Sequence, residues 1–184
     1  MRLTQILLSK IGKYSKDFSN LPDRYINRAM EQVEWKNPKG IQYKANTVLK
    51  RRKFKMGMHR PWTAQFREDN APGVSHDKIW VEPIRKWSFF RGDRVEVLVG
   101  KDKGKQGIVK QIFEERNWVT VEGLNCVLEK MGERKDFAGV YLQIEKPLLV
   151  TNQVALVDPS DLEATPFEWR FTEDGEEVRV STRT

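Results

Sequence analysis

Cysteine and histidine are nearly missing from this chain. Cys126 is the one cysteine among 184 residues, which excludes an internal disulfide framework and any zinc cluster built from several thiolates. A lone thiol of this kind suits a reducing compartment and reads as structural rather than catalytic. His59 and His76, the only histidines, stand seventeen positions apart and lack the i, i+4 relation of a helical ligand pair. No metal and no cofactor are expected. Long apolar runs are lacking as well: nothing approaches the roughly eighteen consecutive apolar residues that a membrane span requires, so no membrane partner is expected. Acid is scarce at one end and base at the other. Residues 1–60 hold fifteen Lys and Arg against four Asp and Glu, whereas residues 158–184 hold three against eight. A polyanion contacted mainly from one side accounts for such asymmetry, because each neutralised phosphate releases counterions. The 184 residues and their 39% hydrophobic content support one modest core, so one compact domain with extensions is expected.

Residues 1–16, MRLTQILLSKIGKYSK, contain no acid and place Leu3, Ile6, Leu7, Leu8 and Ile11 at roughly helical spacing. They read either as a mitochondrial targeting segment or as a basic arm. Residues 17–86 read as a basic extension. Within it, Tyr25, Ile26, Ala29, Met30 and Val33 share one face of a helix expected over about residues 22–35, with Pro22 at its start and Asn37-Pro38 as its stop. A run of five cations follows, Lys50, Arg51, Arg52, Lys53 and Lys55, interrupted by Phe54 and followed by Trp62. Cations interleaved with aromatics offer both phosphate pairing and a stacking surface, which favours nucleic acid over a merely solvated charge run. Residues 63–90 read as an extended connector.

The compact domain is expected over residues 87–184. Val95, Val97 and Val99 alternate with Arg94, Glu96 and Leu98, and Ile108, Lys110 and Ile112 alternate with Val109 and Gln111. That two-residue period marks half-buried strands. Further strands are expected at residues 118–121, 139–145 and 153–157, and Glu173-Asp-Gly175 turns a terminal hairpin. The fold class is therefore all-β: a small barrel with a C-terminal hairpin. Between the first two strands, Gly100-Lys-Asp-Lys-Gly-Lys-Gln-Gly107 places Lys101, Lys103 and Lys105 in a glycine-rich turn. Those lysines, with Lys110, Arg91 and Arg94, are the candidate phosphate partners, and Gly104 and Gly107 would let a foreign backbone come close. A nucleotide-hydrolysing phosphate loop is excluded by spacing: three residues rather than four separate Gly100 from Gly104, Gln106 follows the lysine, and a strand comes next. No nucleophile–base set or carboxylate pair can be assembled, so no enzymatic activity and no small-molecule substrate are expected.

The order Gly92-Asp-x-Val95, Gly100-Lys-Asp-Lys-Gly-Lys-x-Gly107 and Val121-Glu-Gly-Leu-Asn125 resembles the KOW motif of SH3-like barrels. Gln153-Val-Ala-Leu-Val157 and the hairpin Arg170-Phe-x-Glu-Asp-Gly175 with Val178-Arg179 extend the resemblance over residues 91–182 to the universal KOW-domain family of the large ribosomal subunit, ribosomal protein L twenty-four in bacterial nomenclature. Arg116-Asn-Trp-Val119 and the block around residues 157–183 are similar to the mitochondrial branch of that family, a plastid origin being the other organellar reading. The resemblance implies a protein of the mitochondrial matrix that binds large-subunit rRNA and neighbouring ribosomal proteins and supports assembly and translation. Residues 1–86 have no bacterial counterpart. A KOW-bearing transcription elongation or RNA-processing factor is the alternative reading of the same motif.

Overall fold

A computed structural model of the chain describes residues 16–31, 33–34, 52–53 and 59–184. They divide into two compact units, one drawn from the chain up to Trp80 together with Lys130–Val140, the other from Val81–Glu129 and Tyr141–Thr184. Residues 1–15 of the expected targeting segment or basic arm lie outside the described residues.

In the first unit a helix, Asp23–Met30, starts after Pro22 and buries Tyr25 and Ile26. It is shorter than the helix expected over residues 22–35. The backbone is extended at Glu31, and β1 (Val33–Glu34) pairs antiparallel with β2 (Arg52–Lys53), so ladder hydrogen bonds replace those of a third helical turn. The extended connector expected over residues 63–90 also needs correction, because Ala64–Asp69 is helical. Thr63 caps it, its Oγ1 accepting the Phe66 N–H at 3.3 Å, which satisfies one of the donors a helix start leaves open. Phe66 is buried against the His59 ring, and His59 Nε2 lies 2.7 Å from Asp69. Between this helix and β3 the residues lie in turns, bends and segments outside helix and strand. Asn20 clasps this stretch, accepting the Ile79 N–H at 2.7 Å and donating to the Ile79 carbonyl at 2.9 Å.

The second unit carries the barrel. Five strands form one antiparallel sheet in the order β8-β5-β4-β3-β9, comprising β3 (Arg94–Val97), β4 (Gln106–Phe113), β5 (Trp118–Val121), β8 (Leu148–Leu149) and β9 (Val154–Leu156). The all-β class expected from the residues is the observed one. β6 (Cys126–Met131) and β7 (Val140–Glu145) make a separate two-stranded sheet, and β10 (Phe167–Phe171) pairs with β11 (Glu177–Ser181) in the terminal hairpin. β6 and β8 are additions to the strands expected from the residues. Nine residues form the core: Phe89, Val95, Val97, Val109, Val119, Val121, Leu148, Val150 and Val154. Val95 and Val97 alternate with Arg94 and Glu96 as expected, but β3 ends at Val97 and Val99 is exposed in the loop.

The alternation expected for β4 breaks at Lys110. Val109 faces Val121, yet Gln111 faces Thr120, so two steps on β4 match one on β5. Lys110 is the extra residue of a β-bulge. Strict alternation would put Val109 and Ile112 on opposite faces; the bulge brings both to the core while Ile108 and Lys110 stay outside. Gly107, paired with Val95 of β3, packs against the end of β5 and the turn after it. A Cβ there would stand 2.5 Å from Val121 Cγ1 and 3.0 Å from Leu124 Cδ1.

Three polar anchors complete the unit. Asn117, buried and left-handed at φ 54, donates to the Glu82 carbonyl, and its own carbonyl accepts the Val150 N–H at 3.0 Å. Arg179 of β11 grips Asp93 with both terminal nitrogens, one of them at 2.8 Å, and also donates to the Ser88 carbonyl at 2.7 Å. Asp158 is buried, and hydrogen bonds from the Ser181 and Thr184 hydroxyls and the Ser160 N–H hold its carboxyl well below the usual carboxylate range.

Gly107→Ala is expected to destabilise the chain by about 1–3 kcal/mol through overpacking, read as a lower urea midpoint. An unchanged midpoint would mean β4 and β5 lie farther apart than this. Asp158 generates a pH dependence whose sign follows from its depressed folded value: the unfolded state binds the proton more readily, so stability rises with pH. Its contribution is complete above about pH 5, a unit above the ordinary aspartate value near 3.9, and is lost progressively as pH falls toward the folded value. The melting temperature should therefore fall between about pH 5 and pH 3, and that of Asp158→Asn should fall less steeply over the same range.

Candidate nucleic-acid interface

The β3–β4 hairpin presents the glycine-rich loop. Val97 closes it, its carbonyl accepting the Gly104 N–H at 2.7 Å and its N–H donating to the Lys105 carbonyl at 3.0 Å. Gly100 and Gly104 both lie at φ 81, a conformation that side-chain-bearing residues rarely adopt, and the space beside each is open. Gly104 is thus available for close approach of another backbone. Gly107 is not comparable: its missing Cβ makes room for Val121 and Leu124 of the same barrel.

The loop lysines divide into two kinds. Lys101 and Lys103 are exposed and form no ion pair or side-chain hydrogen bond with any described residue. Lys105 Nζ lies 2.7 Å from Asp102 Oδ1, while Asp102 Oδ2 accepts the Asn125 N–H at 2.9 Å. The Lys105 bond, followed by that amide, lowers the Asp102 pKa. Lys110, projecting from the bulge, makes a matching arrangement. Its Nζ lies 2.9 Å from Glu145 Oε2, and Glu145 Oε1 accepts the Gly123 N–H at 3.1 Å. The same pair raises the Lys110 pKa and lowers that of Glu145, so both stay charged at neutral pH. Lys105 and Lys110 nevertheless keep 61% and 52% of their side chains exposed, enough to meet a further anion.

Arg91 and Arg94 are exposed at the opening end of β3, three steps or about 10 Å along the strand from the lysine loop, and Arg94 pairs with Ile108 of β4, two residues before Lys110. Arg94 also borders a cleft of about 570 Å³ with Leu156, Asp158, Leu162 and Phe167. Of the basic run, Arg52 and Lys53 lie in β2, while Lys50, Arg51 and Lys55 fall outside the described residues. Arg52 and Lys53 are paired with Glu34 and Val33 of β1.

Sequence reasoning passes over the acids. Asp102 stands inside the lysine loop and Glu145 ends β7, and neither position announces a partner 23 or 22 residues away. Asn125 is legible in the sequence only as a motif letter. In the structure it is left-handed at φ 53, donates from Nδ2 to the Lys146 carbonyl at 3.0 Å and accepts the Lys146 N–H at 3.0 Å. It therefore ties the end of the 122–125 turn to the segment that follows Glu145.

Two family models match adjoining stretches: the KOW motif over residues 91–122, and the C-terminal domain of large ribosomal subunit protein uL24 over residues 124–184. Large ribosomal subunit protein uL24m of Drosophila melanogaster is 58% identical over 183 residues, spanning the whole of this chain and 72% of that protein. The protein of the same name from Drosophila pseudoobscura pseudoobscura is 55% identical over the same shares. That of Caenorhabditis briggsae is 42% identical over 106 residues, 55% of this chain and 38% of the relative. A barrel with the KOW loop at its β3–β4 turn, an adjoining match through the terminal hairpin and identity above one half along the full chain lead to one conclusion: this chain belongs to the uL24m family of large ribosomal subunit proteins.

Proposed function

We propose that the chain is a structural constituent of the large subunit of the mitochondrial ribosome, in the matrix, where it binds large-subunit rRNA and supports subunit assembly and mitochondrial translation. Residues 87–184 dock as the rRNA-binding barrel, and residues 17–86 serve as a basic extension toward further RNA and neighbouring ribosomal proteins. The observation that carries the reading is the lysine loop. Lys101 and Lys103 stand exposed, without a side-chain hydrogen bond or ion pair to any described residue, and with exposed Lys105 and Lys110 they lie in the stretch that the KOW family model matches.

The role is scaffolding and involves no bond making. Lys101, Lys103, Lys105 and Lys110 pair with phosphates, and Gly104 admits the RNA backbone. Phosphate contacts of this kind set register and orientation rather than sequence preference, which suits a protein whose target is one folded RNA. Arg91 and Arg94, at the opening end of β3, reach a further stretch of backbone. Lys50, Arg51, Arg52, Lys53 and Lys55 supply a third contact.

Crosslinking of the tagged protein in cells, with sequencing of bound RNA and sedimentation of the same lysate, tests the assignment. Mitochondrial large-subunit rRNA recovered from the large-subunit fraction is the expected result; nascent transcripts recovered away from ribosomes would favour an elongation factor. Replacing Lys101 and Lys103 with alanine is expected to leave the melting temperature unchanged. The same replacement should flatten the salt dependence of rRNA binding by about 0.7 to 0.9 in log–log slope for each phosphate that is no longer neutralised. An unchanged slope would remove the loop from the interface.

A further inference from the structure

Asp102 and Glu145 lie among the lysines assigned to RNA. Taken as isolated charges they should oppose a polyanion, and a surface built only by charge would omit them. Their geometry gives them another task. Each carboxylate accepts from one lysine ammonium and, through its other oxygen, from one backbone amide of the 122–125 turn: Asp102 holds Lys105 and Asn125 N–H, Glu145 holds Lys110 and Gly123 N–H. Gly123 and Asn125 are both at positive φ, 67 and 53, an arrangement in which neighbouring amides can present themselves to anions. The amides fix the carboxylates, and the carboxylates fix the lysines. An ammonium has three donors, so each held lysine keeps two for a phosphate while the bond to the carboxylate narrows the directions open to its long side chain.

We propose that Asp102 and Glu145 are positioning residues for RNA binding, latching Lys105 and Lys110 and the 122–125 turn into one preorganised surface. The inference rests on the RNA-binding reading given above. It carries a sign opposite to Coulomb's: removing either acid makes the interface more positive yet weakens it, because ordering that the free protein has already completed must then occur on binding. Lys101 and Lys103, which the latches do not hold, remain the adaptable part of the same surface.

The test uses the full chain and an in vitro transcript of mitochondrial large-subunit rRNA, with binding followed across a salt series. Asp102→Ala and Glu145→Ala are each expected to weaken binding about tenfold at fixed salt, the scale on which lost preorganisation acts. Asp102→Asn keeps an acceptor for the Asn125 N–H and should fall between wild type and Asp102→Ala. Hydrogen exchange in the free protein supplies a second readout: the Asn125 amide should exchange faster in Asp102→Ala and the Gly123 amide faster in Glu145→Ala. Tighter or unchanged binding by the alanine variants would overturn the proposal, as would unaltered exchange at both amides. If an alanine variant does not fold, Asp102→Asn and Glu145→Gln decide the matter by the same criterion. Absence of salt-dependent binding by the wild-type chain would instead retract the RNA reading, and the exchange measurement would still decide whether the latches exist.

Discussion

The extra residue that Lys110 inserts into β4 is the constraint on which the barrel depends. β4 must serve two partners, β3 through Gln106, Gly107 and Ile108 and β5 from Val109 onward, and a flat strand cannot wrap both around one core. A bulge bends the strand, increases its twist and resets its phase. With the phase reset, Val109 and Ile112 both face inward, and the valines of β3 and β5 close over them. The same residue that repairs the core is pushed outward by it. Lys110 is therefore not a cation that happens to sit on a strand; its direction is set by the packing of apolar residues on either side.

Charge on this surface is organised rather than merely abundant. Lysines that project from a glycine-rich turn would ordinarily lose much conformational freedom on meeting an anion. Here two are restrained by carboxylates and two are not, and the carboxylates are themselves held by backbone donors. At the other end of β3, Asp93 accepts from Arg179 and from the Phe90 N–H at 2.7 Å, and the guanidinium lies 4.9 Å from the centre of the Phe90 ring. The acids of this unit thus act as internal fasteners. For Asp102 and Glu145 the fastening is one of position, since lysine partners that stay 61% and 52% exposed form surface ion pairs whose contribution to stability is small.

How much of this is legible in the sequence depends on whether the cause is local. Val95 and Val97 alternate with charged neighbours because β3 has one buried and one open face, so the strand can be read directly. The glycines of the loop and of the Glu173-Asp-Gly175 turn have local reasons and are likewise readable. β6 carries exposed Val127 and Leu128 side by side and shows no alternation to find, and β8 is two residues long. The helix over residues 22–35 is overextended in the sequence reading because an apolar period continues through Val33, although that residue belongs to a strand whose partner lies about twenty residues downstream. Lysine positions are legible as chemistry, but their division into held and free is not, since it is set by Asn125, Gly123 and Glu145 from elsewhere in the chain.

The grip of Arg179 on Asp93 joins residues 86 positions apart. Such a contact closes a long loop, and loop closure is entropically slow to reward. The β3–β4 and β4–β5 pairs are local and can form as soon as residues 92–122 are available, whereas Asp93 stays without its guanidinium until β11 has been made and folded back. Synthesis from the N-terminus therefore imposes an order on these two elements: the lysine loop can take shape first, and the β10–β11 hairpin arrives later to lock the strand that supports it.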